Sequence, residues 1–227
     1  MKKIAAIFAH PDDEILGCGA TLAKYSDLGF PVHILILTKG VTSRKVRGYK
    51  KSQAKLIYQA KKAAEVIGAS SISFENFPDN KMDSVPLLEI VKKVEHFIDK
   101  NKVEKIFTHD SNDLNNDHIL TNKAVITACR PFVKNIEIYT CEILSSTAHD
   151  LNPEKYFKPN FFVDIKDYLE KKIEAIKKYE MELKKWPHPR SVECINYKAK
   201  LRGAESGLES AEAFKCLIKV LKKKDLP

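Results

Sequence analysis

Nothing in the 227-residue sequence approaches the ~20 consecutive apolar residues of a membrane span, so no membrane-crossing segment is expected. The start, "MKKIAAIFAHPDDE", has a basic tip and a short apolar stretch. It then meets three acids and offers no small-residue cleavage site, so it reads as a first strand and the protein as cytoplasmic. The five cysteines, Cys18, Cys129, Cys141, Cys194 and Cys216, are scattered, odd in number and without C-x-x-C or C-x-x-x-C spacing. That excludes a disulfide framework and a thiolate zinc site, and leaves small buried hydrophobes in a reducing compartment. No G-x-G-x-x-G occurs. The glycines of "GCGAT" (17–21) fall inside a predicted helix, and the turn before it, "HPDDE", would repel a pyrophosphate; close helix–sheet packing is the expectation. Flexible Gly/Ser linkers and internal repeats are also missing. This leaves one domain over residues 1–227, with a core over about 1–145 and a C-terminal cap over about 160–227.

Positive charge is in excess, a formal +9 at pH 7. The lysines are spread over helical stretches such as "KKSQAKLIYQAKK" and "LEKKIEAIKKYEMELKK", with acids interspersed, as on a solvated face. No nucleic-acid motif or aromatic–basic repeat accompanies them, so no nucleic-acid partner is expected.

The first half alternates apolar runs with amphipathic stretches. Strands are expected at "KIAAIFA", "PVHILILT", "SISFENF", "VEKIFTH" and "IEIYTCEI", each but the last followed by a helix. Such alternation predicts an α/β fold with a Rossmann-like parallel sheet, order 3-2-1-4-5, and helices on both faces. Beyond Pro159, "FFVDI" reads as a sixth strand. Helices over about 166–185 and 192–206 read as a C-terminal helical extension.

Two polar clusters stand out, "AHPDDE" after the first strand and "THDSNDLNNDH" after the fourth. In the expected order these strand ends are neighbours at the switch point, where open parallel sheets bind ligands. His10 and Asp13, three positions apart at a turn, suit one divalent ion. His118 is the best candidate for a third ligand, leaving open positions for water and substrate. Asp12 lies between the first two and is placed to act as general base. Asp117 is expected to orient His10 or His118; Asp110, Asn112 and Asp113 are expected to shape the loop through Asx turns. His33, His96 and His149 read as packing or surface residues.

Together, "AHPDDE" and "DLNNDH" resemble the PIG-L/LmbE-like zinc-dependent N-deacetylases. The resemblance extends through "FPDNKMD", "TACRP" and "HPRS". It implies a Rossmann-type fold, bound Zn2+ (with other divalent metals open) and removal of acetyl groups from amino sugars or their conjugates. His10, Asp13 and His118 match the family's metal ligands, and Asp12 matches the base that activates water. One position departs. Many members carry a histidine three residues before the last ligand, where it stabilises the oxyanion; here it is Asn115, whose amide can donate a hydrogen bond but not a proton. Asp12, once protonated, could serve alone as the acid, and His188 in "HPRS" is the other candidate for the missing electrophile or acid. Arg44 and Asp79, after the second and third strands, and Arg190 are candidate substrate contacts, the arginines for anionic groups and Asp79 for sugar hydroxyls. The reading leaves room for a homo-oligomer. It also leaves open a metal-dependent amidase on a non-sugar metabolite and a non-catalytic metal-stabilised binding module.

Overall fold

A computed structural model describes residues 1–40, 49–149, 152, 154 and 156–220. Its strands are β1 (Ile4–Phe8), β2 (Val32–Thr38), β3 (Ser71–Phe77), β4 (Lys105–His109), β5 (Glu137–Cys141), β6 (Phe161–Asp164) and β7 (Ala211–Ile218). Its helices are α1 (Asp13–Asp27), α2 (Tyr49–Val66), α3 (Leu87–Asn101), α4 (Asn116–Ala128), α5 (Leu169–Lys177) and α6 (Val192–Ser206). None is long and apolar enough to cross a membrane among the described residues.

The strands form one sheet in the order β3-β2-β1-β4-β5-β7-β6. β1 lies between parallel partners, Ile4 opposite Val32 on one side and Lys105 on the other. Every β1 residue is buried because both faces of the sheet are covered, which is why the run is continuously apolar. Successive side chains serve opposite cores. Ile4, Ala6 and Phe8 pack with residues of α1, α2 and α5, and Ala5 and Ile7 with residues of α3 and α4.

The run 3-2-1-4-5 is as expected, but the sheet does not stop there. The C-terminal extension is not purely helical: β7 pairs antiparallel with β5, and β6 antiparallel with β7. Local sequence hides β7, since "AEAFKCLI" is rich in helix-forming Ala, Glu and Lys; pairing along β5 overrides that preference. The helix expected to run to about 185 ends at Lys177. The chain leaves it through i→i−3 bonds at Lys178 and Tyr179 and continues in turns to 191. No breaker residue lies at that point. Tyr179 and Glu182 are buried there, and their partners lie outside the helix.

β7 also fixes α1. This helix is interrupted at Cys18 (φ −147°). The freed N–H groups of Ala20 and Thr21 donate to the Glu212 carboxylate at 3.1 and 2.7 Å. Lys172 spans the break, reaching Glu212 at 2.6 Å and the Leu16 carbonyl at 2.8 Å. Gly17 allows the close approach: a Cβ there would lie 2.5 Å from Cys141 Sγ.

Candidate active site

The register of β1 and β4 brings the two polar clusters together at the carboxyl edge of the sheet. His10 Nδ1, Asp13 Oδ2 and His118 Nε2 form a triangle with all three edges 3.2 Å. The outer nitrogens fix the tautomers. His10 Nε2 faces Asp117 Oδ2 at 3.1 Å, and that carboxylate is held by the N–H groups of Asn80 and Met82 at 2.7 and 3.0 Å. His118 Nδ1 faces Asp113 Oδ2 at 3.1 Å, itself held by Thr147 at 2.6 Å and Ser146 at 3.1 Å. Each imidazole therefore donates outward and turns a lone pair inward. A cation that displaces any proton from the inner nitrogens would then meet two imidazole lone pairs and a carboxylate oxygen. A tetrahedral cation with bonds of about 2.0–2.2 Å would separate its ligands by roughly 3.4 Å, close to the observed spacing. The donor set thus fits one divalent cation.

The local field favours positive charge. Burial works against the charged form of both histidines, yet Asp117, Asp13 and Asp79 push His10 up to about 10, and Asp13 and Asp113 raise His118. Burial likewise opposes ionisation of Asp13, but the two histidines hold it well below the usual carboxylate range. His10, Asp79 and Asp117 also cluster. That group meets His10 through its outward nitrogen, so it serves to orient the ring.

Asp12 occupies a left-handed conformation, φ 102°, rare and strained for a residue with a Cβ. It is 1% exposed, and neither carboxylate oxygen has a hydrogen-bond partner. Arg190 Nη1 lies 3.5 Å from Oδ2, an ion-pair contact rather than a hydrogen bond. Burial raises Asp12 well above the usual carboxylate range, against the pull of Arg190. Arg190 is anchored by Glu182 at 2.8 Å and by Ser145 Oγ at 3.2 Å.

Asp12, Asp79, Asn115 and Arg190 line one cavity of about 100 Å3 with His10, Asn80 and Glu182. Asn80 and Asn115 also line a wider hollow of about 360 Å3 bordered by Leu114, Ser145 and Ser146. Asn115 caps α4: its Oδ1 accepts the Asp117 N–H at 2.9 Å, and its Nδ2 donates one hydrogen to Asn80 Oδ1 at 3.1 Å. His188 does not line the cavity. Its ring is exposed, and its Nδ1 accepts the Arg190 N–H at 3.0 Å, so it shapes the turn that delivers Arg190. Arg44 lies outside the described residues.

Three features escaped the sequence reading. His109 is buried, its ring stacked on His118 at 3.8 Å, and its Nε2 accepts the Ala9 N–H at 2.9 Å. Burial and the neighbouring His118 keep it neutral. Its position at the end of β4 was a usable signal. Glu182 had none, being one acid in a basic amphipathic stretch. Glu14 belongs to the "HPDDE" cluster, but its partner, the Tyr179 hydroxyl, is 165 residues away. Burial pushes Glu14 up to about 7, against the hydrogen bond from Tyr179.

Comparison with known proteins places this geometry. The diacetylchitobiose deacetylase of Thermococcus kodakarensis is 28% identical over 195 residues, covering 80% of this chain and 70% of that protein. The structure of N,N'-diacetylchitobiose deacetylase from Pyrococcus horikoshii superposes with a TM-score of 0.79 at 22% identity, over 95% of this chain and 84% of the other. The 4-carboxy-2-hydroxymuconate hydratase GalB of Pseudomonas putida KT2440 gives 0.78 at 19% identity, over 98% and 99%, so the fold alone does not fix the reaction. The family described as PIG-L, GlcNAc-PI de-N-acetylase, matches residues 5–129, a span that holds all three inward-facing donors and Asp12. The chain belongs to the PIG-L family and is a deacetylase, and so a hydrolase.

Proposed function

We propose that this protein is a zinc-dependent hydrolase that removes the acetyl group from an N-acetylated amino sugar or sugar conjugate. The observation that carries the reading is the convergence of two imidazole nitrogens and a carboxylate oxygen at 3.2 Å beside the unpartnered carboxylate of Asp12. His10, Asp13 and His118 would hold Zn2+. Bound there, the ion would polarise the acetamide carbonyl and lower the pKa of water from ~15.7 towards ~7.

Asp12 takes the proton of the attacking water and returns it to the departing nitrogen, so one carboxyl serves as base and then acid. The remaining Nδ2 hydrogen of Asn115 and the guanidinium of Arg190 are the donors offered to the developing oxyanion. Asp79 accepts from sugar hydroxyls. The small cavity takes the acetamide, and the wider hollow sharing Asn80 and Asn115 takes the rest of the sugar. His188 supports Arg190 from outside, and Arg44 remains a proposed contact on sequence grounds alone. The relatives named for deacetylation of diacetylchitobiose support a sugar substrate.

The test is acetate release by the zinc-loaded protein across N-acetylglucosamine, N,N'-diacetylchitobiose, N-acetylated sugar nucleotides and simple acyl-amines. Release from the sugars is expected. Preference for the acyl-amines would make it an amidase of another class, and no release with metal bound would make it a binding module.

A further inference from the structure

We propose that Glu14, Tyr179 and Glu182 are positioning residues that set the backbone and the charge environment of Asp12, an inference that rests on the reading of Asp12 as the base. Asp12 combines two costly states. Its backbone is left-handed, and its carboxylate is buried with no hydrogen bond to aim it. Such states persist only when their surroundings over-determine them.

Two struts supply that constraint, and both come from one turn. The first acts on the backbone. Glu14 Oε2 accepts the Asp12 N–H at 3.1 Å, and the Tyr179 hydroxyl holds the other oxygen of the same carboxylate. Glu14, Asp12 and Tyr179 are all buried, so no solvent competes for these bonds. The second strut acts on the carboxylate: Glu182 fixes Arg190 at 2.8 Å, and Arg190 lies 3.5 Å from Asp12 Oδ2. Tyr179 and Glu182 belong to the same turn, the Glu182 N–H donating to the Tyr179 carbonyl at 2.9 Å. This turn follows the early end of α5, where the chain forgoes further helix to direct both side chains at the Asp12 loop. Glu14 and Tyr179 do not line the cavity, so they act through Asp12 rather than on substrate.

The test is a double-mutant cycle on the zinc-loaded, full-length protein with N,N'-diacetylchitobiose as probe, alongside metal content by mass spectrometry. Tyr179→Phe keeps the volume and removes one charge-assisted hydrogen bond. It should lower kcat on the order of tenfold, with KM and bound zinc unchanged. In an Asp12→Asn background the same change should cost nothing more, because the group it positions is gone. An equal factor in both backgrounds, or a loss that follows zinc content, overturns the proposal. If Asp12→Asn alone leaves kcat intact, it is the assignment of the base that fails. A crystal structure of Glu14→Met, which leaves the Asp12 N–H and the Tyr179 hydroxyl without their shared acceptor, gives a readout free of substrate. Asp12 should leave φ near 102° or swing its carboxylate; an unmoved Asp12 in that variant overturns the proposal.

Discussion

Asp117→Asn should loosen the proposed metal site without touching any of its three proposed ligands. Asp117 accepts from three donors: the backbone N–H groups of Asn80 and Met82, at 2.7 and 3.0 Å, and His10 Nε2 at 3.1 Å. An amide has one acceptor oxygen, so Asn cannot serve both sides of this carboxylate. With its oxygen turned to Asn80 and His10, the NH2 group is set against the Met82 N–H; with its oxygen on the Met82 N–H, the NH2 group meets two donors, the Asn80 N–H and His10 Nε2–H, and the ring loses its acceptor. In that second orientation the imidazole escapes only by moving its proton to Nδ1, the nitrogen that faces Asp13 and His118. That tautomer has no lone pair for a cation. Loss of such an orienting partner typically costs 10- to 100-fold in metal affinity, or about 1.4–2.7 kcal/mol. The orphaned backbone donor adds roughly 1–3 kcal/mol to the instability of the fold. Competition for Zn2+ against a chromophoric chelator measures the first quantity, and thermal unfolding of the metal-free protein measures the second. A folded Asp117→Asn protein with Zn2+ affinity within twofold of the parent would refute the tautomer argument.

The other expectations concern the frame and the outer loop. Lys172→Met should destabilise the protein by about 3–5 kcal/mol in urea unfolding, since it strands the buried Glu212 carboxylate that caps the broken α1; a loss below about 1 kcal/mol would show that the ion pair does not hold the break. His188→Ala should leave zinc content unchanged and raise KM, with kcat falling less than about fivefold, because the ring meets Arg190 only through its backbone N–H. A hundredfold fall in kcat with KM unchanged would instead make His188 an electrophile.

Much of this architecture is legible in one dimension because its cause is local. A strand buried on both faces must be apolar throughout, as β1 is and as β2 is from Ile34 to Leu37, and a helix covering it must repeat its apolar residues every three to four positions. Where the cause is not local, the sequence misleads. β7 carries helix-forming residues and becomes a strand because β5 offers an open edge. The stretch after Lys177 keeps helical character and stops because Tyr179 and Glu182 have partners elsewhere.

The candidate site divides along the same line. Strand alternation and the handedness of crossovers put "HPDDE" and "NNDH" at adjacent strand ends, so the sequence alone determined the trio His10, Asp13 and His118 and the neighbouring Asp12. Only the tertiary structure decided how those groups are tuned. The tautomers of His10 and His118 are set by Asp117 and Asp113. His109 lies against His118. Asp12 is held through Glu14 by Tyr179 and faced by an arginine that Glu182 fixes. The reason is physical. Spacing along a chain encodes the periodicity of secondary structure and the reach of a single turn, whereas hydrogen bonds between residues 165 positions apart leave no periodic trace until the chain is folded.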